Sequence, residues 1–184
     1  MAQILILFFI LLLPLEANNI FKVKSLKELK YQDVVRQTYE ESCGASSLAT
    51  LMNLYDANIT EKELLKDLNT TNMVNFLDLQ TLARKNGFKA KGYNIDKKVF
   101  QQLHLPVIAR ILRHKDYPHF IVVYNLDGDF ILSLDPSNGK RIMSKKEFYG
   151  VWNKDDKGYV LVVLPTSNKK LKNIDYNTLN NFKR

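Results

Sequence analysis

Four side chains in this sequence have the types and placement for nucleophilic acyl chemistry: Gln37, Cys43, His119 and Asp135. Cys43 is the only cysteine in 184 residues and sits in the stretch Gln37-Thr-Tyr-Glu-Glu-Ser-Cys43-Gly-Ala-Ser-Ser47. Ala45, Leu48, Met52 and Tyr55 follow at helical spacing, so a helix begins at or near the cysteine. Ser42 is placed to cap it by accepting from a first-turn amide. A thiol at a helix N-terminus faces the positive end of the dipole and free amides, which favour the nucleophilic thiolate. Gly44 has no Cβ and would let a substrate backbone come close, which makes it a substrate-binding candidate. Gln37 lies just upstream and would serve as an oxyanion donor if the chain folds back beside the cysteine. The competing reading is that a lone cysteine is simply a small buried hydrophobe. What separates the two is a partner histidine, with an Asn or Asp behind it.

There are three histidines. His104 lies beside Leu103 and Leu105 after a short helix and reads as structural or exposed. His114 sits in the charged loop Arg113-His-Lys-Asp116 and reads as solvated surface. His119 opens a β-branched and aromatic run, where a base would be held rigidly. Asp135 ends the next strand. A two-residue hairpin turn at Asp127-Gly128 would set His119 and Asp135 opposite one another, away from the turn. A carboxylate there would orient the imidazole and stabilise its protonated form. Alone, Asp135 before Pro136 is an ordinary turn residue; its coincidence with His119 gives it a chemical reading.

The elements that must position these groups change period midway. A helix from Cys43 ends near Tyr55-Asp56-Ala57-Asn58. Thr60-Glu-Lys-Glu63 is a capping box ahead of Leu64, Leu65 and Leu68. A third helix fits Phe76 to Asn86, stopped by Gly87. Strand patterns follow at Phe88–Tyr93, Pro106–Ile111, His119–Tyr124, Phe130–Leu134, Arg141–Met143 and Tyr159–Leu164, the last closing the sheet. Short helices are expected over Asp96–Leu103 and from the Ser144-Lys-Lys-Glu147 box to Gly150. Helices first and an antiparallel sheet after predict an α+β domain with a cleft between the two halves.

Taken together, Gln37-x5-Cys43-Gly44-Ala45, Pro118-His119-Phe-Ile-Val-Val and Leu134-Asp135-Pro136-x-x-Gly139 resemble the C39 family of papain-like cysteine peptidases, the bacteriocin-processing, double-glycine leader peptidases. The resemblance covers roughly Tyr31 to Pro165. It implies a papain-like fold, an N-terminal helical lobe followed by an antiparallel β-sheet lobe, with no metal or cofactor. It implies that Cys43 is the nucleophile, His119 the general base, Asp135 the orienting residue and Gln37 the oxyanion-hole donor. Familiar members are N-terminal parts of ABC transporters. This sequence has no Walker A motif and no membrane bundle after the peptidase region, and so looks like a stand-alone exported form. Such forms are associated with secretion of fibre-forming or other exported substrates in Gram-negative bacteria.

The expected organisation is a signal peptide at 1–17, a lead-in at 18–30, the peptidase-like domain at 31–165 and a basic, loosely ordered tail at 166–184. Ile4 to Leu15 is almost unbroken apolar sequence, too short to span a bilayer comfortably, with Ala17 at a cleavage point. Its n-region lacks Lys and Arg, so an uncleaved inner-membrane anchor is the alternative to a cleaved signal and periplasmic export. A single cysteine excludes an internal disulfide, and an unpaired thiol in an exported protein calls for a reason such as reactivity. The net charge of +8 is concentrated at Lys22, Lys24, Lys27 and Lys30 and at Lys169, Lys170, Lys172, Lys183 and Arg184. That pattern suits a solvated basic surface or peripheral contact with an anionic membrane or acidic partner. With no helix-turn-helix or zinc spacing, it argues against nucleic acid. The expected function is a cysteine endopeptidase acting on an exported peptide or protein, with a leader cut after small residues such as Gly-Gly as one such substrate. A non-catalytic peptide-binding or secretion-accessory module and an acyltransferase or amidase on the same fold are the alternatives. A pure binder would have no need of all four groups.

Overall fold

The computed structural model describes residues 23–68, 73–114, 117–152 and 156–174. The β-branched and aromatic runs pair into one sheet of β1 (Phe88–Asp96), β2 (Val107–His114), β3 (Tyr117–Asn125), β4 (Phe130–Asp135), β5 (Gly139–Ser144) and β6 (Lys157–Pro165). The spatial order is β1-β6-β2-β3-β4-β5, antiparallel throughout. The helices are α1 (Leu26–Lys30), α2 (Cys43–Asn53), α3 (Glu61–Leu68), α4 (Phe76–Lys85), α5 (Lys97–Gln101) and α6 (Lys145–Trp152). The expected α+β class is the one observed. The expected capping box opens α3, with Thr60 N–H donating to Glu63 and Glu63 N–H donating back to the Thr60 hydroxyl. Asn75 does the same work for α4, its Oδ1 accepting from Leu77 and Asp78 amides.

Side-chain alternation splits the strands' apolar residues between two faces. Ile108, Phe120, Val122, Leu132, Leu134, Leu161 and Val163 meet Leu48, Met52, Leu64 and Leu79 of the N-terminal helices. On the other face, Ile111, Ile121, Val123, Ile131 and Val160 meet Phe100 of α5 and Phe148 and Trp152 of α6. Each large side chain buried in this way contributes roughly 1.5–3 kcal/mol. Two details correct the sequence-based expectation. Helix α6 runs through Gly150 to Trp152, because Trp152 packs on Phe148 at 5.2 Å and donates its indole N–H to Tyr159 O. The last strand does not close the sheet at an edge but enters between β1 and β2. Its run Val160-Leu-Val-Val163 is apolar on both faces, the composition of a strand covered on both sides.

The hairpin between β3 and β4 has a four-residue connection, 126–129, closed by Leu126 N–H donating to Phe130 O at 3.1 Å. Val122 therefore stands opposite Leu134 and Asn125 opposite Ile131. Continued by one step, that register sets Asp135 opposite Ile121, and His119 lies two residues further along the same face.

The expected loose tail is held as far as residue 174. Lys172 N–H donates to Leu54 O at 2.8 Å, its ammonium meets Asp56 at 2.8 Å, and Ile174 is buried. The signal peptide assigned to 1–17, part of the lead-in and the tail from 175 lie outside the described residues. In the described part of the lead-in, Ser25 and Glu28 form a capping box that starts α1.

Candidate active site

Helix α2 begins at Cys43 itself, directly after one 3-10 turn at Glu40–Ser42. Cys43 is 3% exposed. Ser42 does not cap the helix as expected. Already part of the 3-10 turn, it folds its hydroxyl back to donate to Tyr39 O at 2.7 Å and accept from Tyr39 N–H at 3.1 Å. Buried Glu61 anchors the same segment from α3, its carboxylate accepting from Thr38 N–H at 2.8 Å and the Thr38 hydroxyl at 2.5 Å. Burial alone would raise the Glu61 carboxyl, but the surrounding hydrogen bonds, Thr38's among them, hold it below its ordinary value.

One helical turn after Cys43, on the same face, Ser47 donates its hydroxyl to Phe120 O at 2.9 Å, fully buried. Phe120 follows His119, so this bond fixes the height of the helix against the strand that carries the imidazole. Gly44 has a packing role that its reading as a substrate-binding candidate did not include. A Cβ there would lie 2.3 Å from Val74 Cγ2 and 3.3 Å from Phe120. The absent side chain lets the helix settle on the core.

His119 Nε2 is 2.9 Å from Asp135 Oδ1, and the Cys43 side chain lies close enough to the ring to act on its titration. The imidazole is 14% exposed and Asp135 is wholly buried. Burial of the ring favours its neutral form, yet the hydrogen bonds and charges of Asp135 and Cys43 outweigh it and raise the His119 pKa to about 9. The ring therefore keeps its proton at neutral pH. The longer hairpin connection makes His119 and Asp135 diagonal neighbours rather than the directly opposed pair expected, and the bond spans that diagonal.

Asp135 is itself fixed. Oδ1 also accepts from Ser137 N–H at 2.9 Å and Asn138 N–H at 3.2 Å, and Oδ2 accepts from Asn138 Nδ2 at 3.2 Å. The turn that supplies these donors ends at Gly139, with φ +76 and with Lys30 O 2.3 Å from where a Cβ would stand, so only glycine fits. Gln37 lies against this turn. Its backbone N–H donates to Pro136 O at 3.2 Å, and its Oε1 accepts from the Ser137 hydroxyl at 2.8 Å. Its Nε2 donates to Tyr39 O at 2.9 Å and Glu40 O at 3.1 Å, on the turn leading into Cys43.

The structure thus brings Cys43, His119 and Asp135 together, with Gln37 over the adjoining turn. His104 is exposed in the loop after α5, and His114 ends β2. The site lies where the start of α2 meets the start of β3. A groove of about 590 Å³ lies elsewhere, over β1 and β6, lined by Arg84, Lys89, Lys91, Tyr93, Val162 and Leu164 among others. Sequence reasoning missed Ser47, Glu61, Ser137 and Asn138. Ser47 had a legible signal, its four-residue spacing from Cys43. Glu61 had none, since it reads as the exposed first turn of a helix. Among the described residues no cluster of His, Cys, Asp and Glu could hold a metal ion. A protonated imidazole between a buried carboxylate and a helix-terminal sulfur is equipped to form a thioester and to protonate a leaving amine.

Residues 31–168 match the peptidase C39 family. The chain is 28% identical over 141 residues to a probable functional amyloid protease, FapD, of Pseudomonas aeruginosa, covering 72% of this chain and 62% of that protein. Among solved structures it superposes on the peptidase domain of Streptococcus ComA, a bi-functional ABC transporter involved in a quorum-sensing pathway. The TM-score is 0.64 at 25% identity, over 72% of this chain and 97% of that one. It also superposes on a double glycine motif protease from an AMS/PCAT transporter in complex with the leader peptide, with TM-score 0.63 at 25% identity, over 72% and 91% of the chains. Sequence match, shared fold and the meeting of Cys43 with His119 lead to one assignment: this chain belongs to the peptidase C39 family.

Proposed function

We propose that this protein is a cysteine endopeptidase that cuts an exported peptide or protein after small residues such as Gly-Gly. The observation that carries the reading is the His119 imidazole, held between buried Asp135 and the only thiol of the chain at the start of α2. With the thiol proton already resting on His119, the sulfur attacks the scissile carbonyl carbon. The carbonyl oxygen becomes an oxyanion, met by the Cys43 backbone N–H and the Gln37 side-chain amide. His119 then gives its proton to the leaving amine as the C–N bond breaks, leaving a thioester on Cys43. Water, deprotonated by His119, hydrolyses that thioester and restores the thiol. Asp135 keeps Nε2 protonated and the ring oriented.

The substrate class draws support from the relatives named above, one a double glycine motif protease bound to a leader peptide, another a probable functional amyloid protease. The export proposal draws support from the apolar run Ile4–Leu15, with Ala17 after it at a cleavage point. A cleaved signal predicts a mature N-terminus near Asn18, read by N-terminal sequencing of protein exported in cells. Alkylation by an iodoacetamide probe across pH tests the catalytic reading. Rapid labelling near neutral pH that collapses in His119→Ala supports it. An ordinary thiol profile, unchanged by His119→Ala, overturns it.

A further inference from the structure

The turn that follows β4 touches two parts of the site at once. Through the Ser137 and Asn138 amides it holds the Asp135 carboxylate against His119. Through the Ser137 hydroxyl and Pro136 O it holds both ends of Gln37, side chain and backbone. The turn is itself tied down from the N-terminal side, where the Tyr31 hydroxyl donates to Ser137 O at 2.7 Å. A carboxamide has two ends of nearly equal shape and opposite hydrogen-bonding sense. Only its nitrogen end can receive an oxyanion. In this structure the oxygen end is fixed by Ser137, and the nitrogen end donates to the Tyr39 and Glu40 carbonyls, in the turn that leads into Cys43.

We propose that Ser137 is the positioning residue of the oxyanion site, its hydroxyl fixing the Gln37 amide with nitrogen towards Cys43. This assignment rests on the peptidase reading above. As charge develops on the substrate oxygen, one Nε2–H exchanges a neutral carbonyl for an anion, a stronger acceptor. The amide makes that exchange while anchored at Oε1. Ser137 is exposed and its hydroxyl supports no buried group, so its removal spares the core. Its backbone N–H, which serves Asp135, is untouched by a side-chain change. Removal of the hydroxyl therefore affects Gln37 and leaves the His119–Asp135 pair in place.

The test compares two reactions of Cys43 in the full chain. Alkylation by iodoacetamide is a displacement at a saturated carbon and forms no oxyanion. Acylation by acetyl-Gly-Gly p-nitrophenyl ester passes through one, forms a thioester on Cys43 and releases p-nitrophenolate. In Ser137→Ala, acylation falls roughly three- to tenfold, the kinetic equivalent of one lost hydrogen bond, while the alkylation rate and its pH profile hold. Ser137→Thr, which keeps the hydroxyl, restores acylation. Gln37→Ala lowers acylation, and adding Ser137→Ala to it lowers acylation no further. Equal losses in both reactions, additive losses in the double variant, or full acylation by Ser137→Ala overturn the assignment while the peptidase reading stands. A wild-type thiol that alkylates at an ordinary rate overturns the peptidase reading, and this assignment with it.

Discussion

Replacing Asp135 by asparagine changes the charge beside His119 and little else. The new side-chain oxygen has a fixed place, because the Ser137 and Asn138 amides at 2.9 and 3.2 Å both require an acceptor there. That is the same atom that faces His119 Nε2. The new NH₂ falls where Oδ2 now meets the Asn138 amide, which lies on an exposed turn and can rotate to present its oxygen. Ring orientation and tautomer are kept, and the carboxylate charge is lost. Raising the imidazole from 6.5 to about 9 corresponds to a preference for the protonated ring on the order of 3 kcal/mol. It is shared between Asp135 and Cys43, with the Asp135 hydrogen bond as the largest favourable contribution. Loss of the Asp135 charge therefore lowers the His119 midpoint by roughly one to two pH units, and moves the alkaline limit of acyl transfer down with it. The assay is ¹⁵N NMR titration of the imidazoles, which number three and are assigned with His119→Gln. A wild-type midpoint near that of free histidine, or an Asp135→Asn midpoint equal to wild type, refutes the reasoning.

Stability follows the same pair with a definite sign. The His119 pKa is raised on folding, so its contribution is full below about 6.5 and is lost as pH rises through about 9, seen as a falling urea midpoint over that range that flattens in His119→Gln. Glu61 acts at the other end: its folded pKa lies below 4.5, so its contribution is present above that value and lost as pH falls through the folded pKa, an acid loss absent in Glu61→Gln. Ser47→Ala leaves the Phe120 carbonyl buried without its partner and lowers stability by roughly 1–3 kcal/mol, with a matching fall in Cys43 alkylation rate; unchanged unfolding and alkylation contradict its role as the spacer between α2 and β3. Gly44→Ala forces a methyl to within 2.3 Å of Val74 Cγ2 and costs roughly 1–3 kcal/mol, measured by denaturant unfolding, and Val74→Ala in the same chain recovers part of it.

The chemistry-bearing residues were legible because each carries a local signal: a cysteine before a helical run, a histidine opening a strand, an aspartate before proline. Most helices and strands were legible for the same reason, since period and caps are local properties. The hairpin register was read from Asp127-Gly128 as a two-residue turn, yet the Leu126 to Phe130 bond closes a wider loop. Turn signals mark where a chain reverses and leave open how many residues take part. The packing role of Gly44 was not legible because it depends on Val74, thirty residues away in sequence and in contact only after folding. Glu61 and Ser137 were invisible for the same reason. Each is an ordinary polar residue whose partner, Thr38 or Gln37, arrives from another element. The interior position of the last strand was written in its two-sided apolar run, a pattern that marks burial on both faces without naming neighbours.

Insertion of β6 between β1 and β2 sets a timetable for synthesis. Among the described residues β1 finds a strand partner only in β6, and their nearest paired residues are Asp96 and Lys157. The meander β2-β3-β4-β5, by contrast, forms from neighbours in sequence. A nascent chain therefore builds the strands that carry His119 and Asp135 early, and holds an open seam beside them until Pro165 has left the ribosome. Long-range pairings of this kind slow folding, because the ordering of the intervening chain precedes the contacts that reward it. A chain ended by a stop codon before Lys157 exposes the apolar flank of β2 and the whole ladder edge of β1, and so presents proteases and chaperones with an unclosed sheet beside its thiol.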